Sequence, residues 1–140
     1  MSASVRYQST TGNTKKVASA IARAAGCEAE PVAGTAVSEP VDVLFLGAAV
    51  HGGAVDPSVS AFIAGLDPTL VSRVALFSTG FEESRGKATD IMRDLLTSRG
   101  ISVADACYFC KGRFVLFNRT HPDAADLKAA EEFARSILAA

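Results

Sequence analysis

Residues Tyr7 to Lys16 read YQSTTGNTKK. Ser9, Thr10, Thr11, Gly12, Asn13 and Thr14 stand in a row, with no acid among them and cations only at the far end. Upstream, Ser4 to Gln8 has the length of a short strand. From Thr14 the pattern turns helical, with Val17, Ala20, Ile21 and Ala24 on one face and Gly26 as the stop. The stretch therefore lies where a strand ends and a helix begins. The first turn of a helix presents unpaired N–H groups and partial positive charge, which together favour an anion. Gly12 permits positive φ and close backbone approach. The hydroxyls and Asn13 add neutral donors. The triphosphate loop GxxxxGK(S/T) is not matched, because its first glycine and the lysine after its second are missing. The dinucleotide fingerprint GxGxxG is missing as well. A single terminal phosphate is the guest that fits neutral donors. Ser/Thr/Asn-rich turns also cap helices with no ligand at all, but five such residues and a glycine directly after a strand favour the phosphate.

Outward from this stretch, apolar runs of strand length alternate with helix-period segments. That alternation predicts a parallel sheet covered by helices. Cys27 to Val32 is a weak strand, and Pro31 places it at a sheet edge. Val41 to Leu46 (VDVLFL) is a buried strand closed by Gly47. Pro57 takes the first position of a helix whose stripe is Val59, Phe62, Ile63 and Leu66. Val71 to Phe77 is another buried strand. A helix from Gly86 carries Ala88, Ile91, Met92, Leu95 and Leu96 inward and ends at Gly100. Ile101 to Phe109 is the last strand region, open to a break. Pro122 opens a final helix facing inward with Leu127, Ala130, Phe133, Ala134, Ile137 and Leu138. About eight residues, Ala33 to Pro40, join the second and third strands. A parallel crossover takes at least about ten to twelve, so the helix there is predicted to shrink to a turn or vanish.

The chain has 140 residues, which predicts one domain over 1–140. A hydrophobic share of 49% is enough for a sizeable core. The formal charge of −1, with both signs scattered, argues against a nucleic-acid or membrane-surface binder. Residues Met1 to Arg6 lack a basic segment followed by a long apolar run. No apolar run approaches the ~18 residues of a membrane-spanning helix. Cys27, Cys107 and Cys110 are an odd set for a disulfide framework. A reduced, cytoplasmic domain is the expectation.

The stretch Ser9 to Thr14 resembles the phosphate loop of the flavodoxins, S-x-T-G-N-T, at every position. The likeness extends over most of the chain. LGAAVHGG (Leu46 to Gly53) is similar to the family's second flavin loop and FSTGFEESRGK (Phe77 to Lys87) to its third. HPDAADLKAAEEFA resembles the closing helix of short members, and the long insertion of long-chain members has no counterpart. The resemblance implies a flavodoxin-like three-layer α/β sandwich. Its five-stranded parallel sheet would take the order 2-1-3-4-5, here with a shortened second crossover. It also implies noncovalent FMN and one-electron transfer. The three loops follow the first, third and fourth strands, where an open α/β sheet binds ligands.

By this resemblance Ser9, Thr10, Thr11, Gly12, Asn13 and Thr14 hold the FMN phosphate. Ala48, Ala49, Val50, His51, Gly52 and Gly53, with Ser78, Thr79, Gly80, Phe81 and Gly86, flank the ring. Phe81 is the aromatic of the third loop; stacking on the flavin and covering a sheet edge are both open to it. The second loop has Val50-His51 where the family often has an apolar or aromatic residue, so ring cover is expected to be thin. His51 either flanks the ring, making the potential pH-dependent near neutrality, or is an ordinary loop histidine. In flavodoxins a peptide of the second loop flips when the flavin gains one electron and a proton, and Gly52-Gly53 suits such a flip. The family is typically acidic; this near-neutral chain is expected to destabilise the anionic reduced flavin less.

Cys107-Tyr108-Phe109-Cys110 has the CxxC spacing, but it lies near the end of the chain rather than opening an early helix. In an extended segment i and i+3 face opposite sides, so a structural role is expected. Neither Cys27 nor His121 completes a zinc spacing. Arg85, Lys87, Lys111, Arg113 and Arg119, grouped near the flavin edge, are either a solvated face, the default reading, or a docking patch for an acidic partner. The expected function is an FMN-binding one-electron carrier between a flavodoxin reductase, or another redox protein, and acceptor enzymes. The alternatives are an FMN-dependent oxidoreductase acting on a quinone or porphyrinogen, and an interaction module that binds FMN weakly or not at all. No acid–base pair stands out for chemistry, which favours the carrier.

Overall fold

The computed structural model describes residues 2–115 and 117–140. Five strands form one parallel sheet: β1 (Ala3–Tyr7), β2 (Ala29–Pro31), β3 (Val41–Ala48), β4 (Val71–Gly80) and β5 (Tyr108–Lys111). Their order is β2-β1-β3-β4-β5, as the resemblance implies. Four helices accompany them: α1 (Asn13–Ala25), α2 (Pro57–Ala64), α3 (Lys87–Thr97) and α4 (Ala124–Ala139).

The period-2 alternation of the central strands builds two cores. Val43 and Phe45 of β3, with Ala75 and Phe77 of β4, face one side and pack with Val17, Ala20 and Ile21 of α1 and Ala130, Ala134 and Ile137 of α4. Leu44, Leu46, Val74 and Leu76 face the other side and meet Val59, Phe62 and Ile63 of α2 and Ala88, Met92 and Leu96 of α3. Both faces of β3 and β4 are therefore apolar, as a sheet covered twice requires.

The crossover from β2 to β3 contains no helix. Val32 is buried and Val37 partly buried against the α2–α3 core, so two valines fill the place a helix would cover. The Thr35 hydroxyl donates to the Pro31 carbonyl and folds this connection back on itself. Pro31 lies in β2, at the sheet edge as expected.

Several boundaries differ from the sequence reading: β2 is shorter, α3 stops at Thr97 and β5 runs on to Lys111, and three further differences bear on the site and the core. Gly47 does not close β3; it sits inside the strand, opposite Phe77 of β4. A Cβ at Gly47 would lie 2.0 Å from Phe77 Cε2, so glycine here makes room for a core ring. β4 runs on to Gly80, which places Ser78, Thr79 and Gly80 in the strand. Pro122 precedes α4 rather than opening it: Asp123 is the cap, and its side chain and that of Asp126 each accept the other's backbone N–H, at 2.8 and 2.9 Å. The last strand region is broken, as expected. Val103 bridges Val74, and pairing resumes at Tyr108 opposite Phe77. The chain order reverses between β1 and β3, so the ends of β1, β3 and β4 open on one crevice.

Candidate functional site

A cleft of about 360 Å³ lies at these strand ends, within the usual size of small-ligand sites. The first loop forms its floor at the start of α1. Gly12 is the N-cap residue with φ 93°, and no side chain caps the helix. The first turn holds no acid. The first amides of α1 thus stay unclaimed by side chains, and the capping reading of this stretch does not hold. The hydroxyls organise the loop instead. Ser9 Oγ accepts from Gly12 N at 3.0 Å. Thr14 Oγ1 and Thr79 Oγ1, both buried, lie 2.8 Å apart and tie the loop to β4. Gln8 Nε2 donates to Thr10 Oγ1 at 3.3 Å, while its Oε1 is buried with no partner.

The second loop is a tight turn. His51 N donates to Ala54 O at 2.8 Å, and Ala54 N returns to His51 O at 3.3 Å. Gly52 and Gly53 between them have φ 61° and 82°, the two left-handed positions of a type I′ turn, which glycine adopts without strain. In the third loop Phe81 starts a 3₁₀ turn (Glu82–Ser84), and Ser84 Oγ donates to Phe81 O at 2.9 Å. Phe81 is 37% exposed.

Ser9, Thr10, Thr11, Asn13, Thr14, Ala49, Val50, His51, Gly52, Gly53, Thr79, Gly80 and Phe81 line one cleft. Four expected positions do not. Gly12 borders a neighbouring groove beside Lys15 and Pro31. Ala48 is fully buried in β3, and Ser78 is buried in β4, because alternation turns them into the α2–α3 side. Gly86 is the N-cap of α3, with φ 87°.

A fourth segment joins the three loops; the sequence reading places its Arg113, with Lys87, near the flavin edge, but not Gly112 or Phe114. Gly112, Arg113 and Phe114, beyond β5, line the cleft, together with Gln8, Ser84 and Lys87. Asn13 Nδ2 donates to Thr11 Oγ1 at 2.8 Å and to the Arg113 carbonyl at 2.7 Å. A Cβ at Gly112 would stand 2.8 Å from Asn13 Nδ2, so glycine allows this segment to lie against the first loop. Phe114 meets Phe81 edge to face at 5.9 Å. The cleft thus has two aromatics rather than the one expected from its third loop. The available signal was the apolar run Phe114-Val115 immediately after the last strand, with neither strand nor helix period.

Among the described residues no aspartate or glutamate lines the cleft, whereas Lys87, Arg113 and His51 do. Two of the acids nearby have other partners. Asp56 caps α2 by accepting from Ser58 N at 2.9 Å. Glu82 binds Arg85 through two hydrogen bonds of 2.7 and 3.0 Å, which hold its carboxyl below the ordinary value. The Arg85 guanidinium also lies 4.4 Å over the Phe109 ring. Cys107 is exposed and Cys110 buried, both as free thiols, and burial pushes the Cys110 thiol up to about 12.

The Flavodoxin domain family model matches residues 4–119. The uncharacterized protein MJ0298 of Methanocaldococcus jannaschii is 28% identical over 135 residues, covering 90% of each chain. A solved flavodoxin from the domain Archaea superposes with a TM-score of 0.78 at 19% identity, covering 98% of this chain and 96% of that one. Oxidised Flavodoxin 1 from Bacillus cereus gives 0.75 at 19% identity, covering 97% and 96%. At this identity the two structures speak for the fold.

Proposed function

From the premise that this chain belongs to the flavodoxin family, we propose that it binds FMN in the cleft and carries single electrons between a reductase and acceptor enzymes. The observation that carries this reading is the start of α1: an uncapped helix N-terminus without acids, surrounded by Ser9, Thr10, Thr11 and Thr14. It is suited to a lone phosphate dianion. The orphaned Gln8 Oε1 supports the same guest. It is a buried acceptor beside the loop, and a ribityl hydroxyl would satisfy it.

Ser9, Thr10, Thr11, Asn13 and Thr14 would hold the phosphate. The region lined by Ala49 to Gly53, Phe81 and Phe114 would take the ring. Bound FMN supplies one-electron chemistry. The chain's own residues do the rest. Phe81 and Phe114 shield one side from water. The Gly52–Gly53 turn, free of Cβ atoms, lets a peptide reorient toward a new donor. Lys87 and Arg113 place positive charge at the cleft, which favours an anionic guest. The three free thiols support a reducing, cytoplasmic setting, and the chain would work as a single domain with transient redox partners.

The cationic, acid-free cleft also favours a second reading, an FMN-dependent oxidoreductase with an anionic small-molecule substrate. One experiment separates them. FMN-loaded protein is given a pyridine nucleotide and an acceptor, with and without a flavodoxin reductase. The carrier reading predicts transfer only when reductase is present. Steady turnover without it would replace that reading with the enzyme.

A further inference from the structure

The mouth of the cleft carries an apolar patch that extends beyond the two aromatics assigned to the flavin ring. Phe81, Phe114, Val115 and Phe117 are 37, 49, 68 and 63% exposed, the exposed large hydrophobics among the described residues. Phe81 meets Phe114 at 5.9 Å and Phe117 at 5.8 Å, both edge to face. Phe114 and Phe117 pair across a tight turn, with N–H to carbonyl distances of 3.0 and 2.8 Å. Val115 in that turn has φ 53°. A β-branched residue in the left-handed region is strained and persists where surrounding structure fixes it. Asn118, at φ 50°, donates to the Gly112 carbonyl at 3.2 Å and anchors the far side. Val115 is strained, yet the side chains of Phe114, Val115 and Phe117 stay largely in water.

Its surroundings are cationic. Lys111, Arg113 and Arg119 are exposed, and residues 111–120 contain no acid. Lys87 adds a charge at the cleft. Against them stand Glu82, already bound to Arg85, and Glu83. The chain as a whole has a formal charge of −1, so this face is a local excess of the opposite sign.

We infer that the Phe114–Phe117 turn, with Phe81, is the docking surface for a one-electron redox protein whose own centre is apolar and ringed by acids. Aromatic and arginine side chains at the core of a patch supply contact energy. Complementary charge around it sets orientation and on-rate. Phe81 and Phe114 belong both to this patch and to the cleft lining, so a partner seated here covers the cleft mouth. One electron then passes from the reduced flavin to the partner's oxidised one-electron centre, with no bond made or broken. This role rests on the carrier reading above; the docking itself does not need the flavin.

The test uses the full chain, ¹⁵N-labelled, with an acidic [2Fe–2S] ferredoxin as probe. Amide shifts are followed at low and high salt, and FMN uptake is measured separately. Shifts confined to residues 81–87 and 111–119, lost at high salt, are the expected result. The variant Arg119→Glu with Phe117→Ser, neither of which lines the cleft, is expected to weaken the probe about tenfold and leave FMN uptake unchanged. Shifts elsewhere, no shifts, an indifferent variant, or adsorption to phosphatidylglycerol vesicles in place of ferredoxin binding would each overturn the inference. Failure of FMN uptake alone would instead overturn the carrier reading, since the shifts are read without flavin.

Discussion

Thr14 shows how much one hydroxyl does in this molecule. It is buried, opens the second position of α1, and shares a hydrogen bond with Thr79 across to β4. Thr14→Val keeps the shape and leaves the Thr79 hydroxyl buried without its partner. The expected cost is about 1–2 kcal/mol of stability, read by urea denaturation, and a loss of about tenfold or more in FMN affinity. Full FMN affinity in a folded Thr14→Val would remove Thr14 from the phosphate site. At this scale the sequence was most legible where chemistry is local. Ser9 to Thr14 declared itself, because neutral donors around a glycine have few uses at a strand–helix junction. Phe114 and Gln8 did not. Their roles depend on where the segment after β5 settles and on which buried atom is left without a partner, and neither leaves a periodic trace.

Among the elements, β3 carries the sharpest constraint. Gly47 reads from sequence as a strand stop, because nothing local reveals the Phe77 ring occupying the space of its Cβ. Gly47→Ala therefore overpacks the core and is expected to cost about 1–3 kcal/mol, measured as a lower urea midpoint. Pairing it with Phe77→Leu should recover part of that loss. An unchanged midpoint in Gly47→Ala would contradict the packing described here. α4 offers a pH test. Burial raises the Asp126 carboxyl, but His121 Nδ1 at 2.6 Å and the Asp123 N–H at 2.9 Å outweigh it and hold it below its ordinary value. A depressed carboxylate stabilises the fold above its unfolded pKa, about 3.9, and loses that contribution as pH falls through its lower folded value. Melting temperature followed from pH 6 to 3 should fall on the acid side, and Asp126→Asn should fall less steeply. The β2–β3 crossover was legible from its length alone, since about eight residues cannot hold a covering helix. Which side chains replace that helix, Val32 and Val37, was not, because two isolated valines carry no pattern.

At the level of the whole molecule, the distribution of charge matters more than its total. A formal charge of −1 conceals a cleft lined by Lys87 and Arg113 and by no acid. Such a cleft should destabilise the anionic reduced flavin less than an acidic rim does. Potentiometry on the FMN-loaded chain is expected to give a lower couple less negative than in acid-rimmed flavodoxins. Lys87→Glu and Arg113→Glu should each move it down by roughly 40–90 mV, the equivalent of about 0.5–1 kcal/mol for each of the two charge units that a reversal changes. Potentials unmoved by both charge reversals would separate the cleft from the redox centre. The strand order was legible through the flavodoxin resemblance, which implies 2-1-3-4-5; the sheet has that order, and the loops that resemble flavin loops follow β1, β3 and β4 at its switch point.

All of this depends on a single phosphoryl group seated at the start of α1, and a paired titration addresses it directly. The quenching of flavin fluorescence is followed as the chain is added to FMN and, separately, to riboflavin. Two charge-assisted hydrogen bonds, at about 1.5–3 kcal/mol each, predict that FMN binds at least about a hundredfold more tightly than riboflavin. Equal affinity for the two, or no uptake of either, would contradict the account.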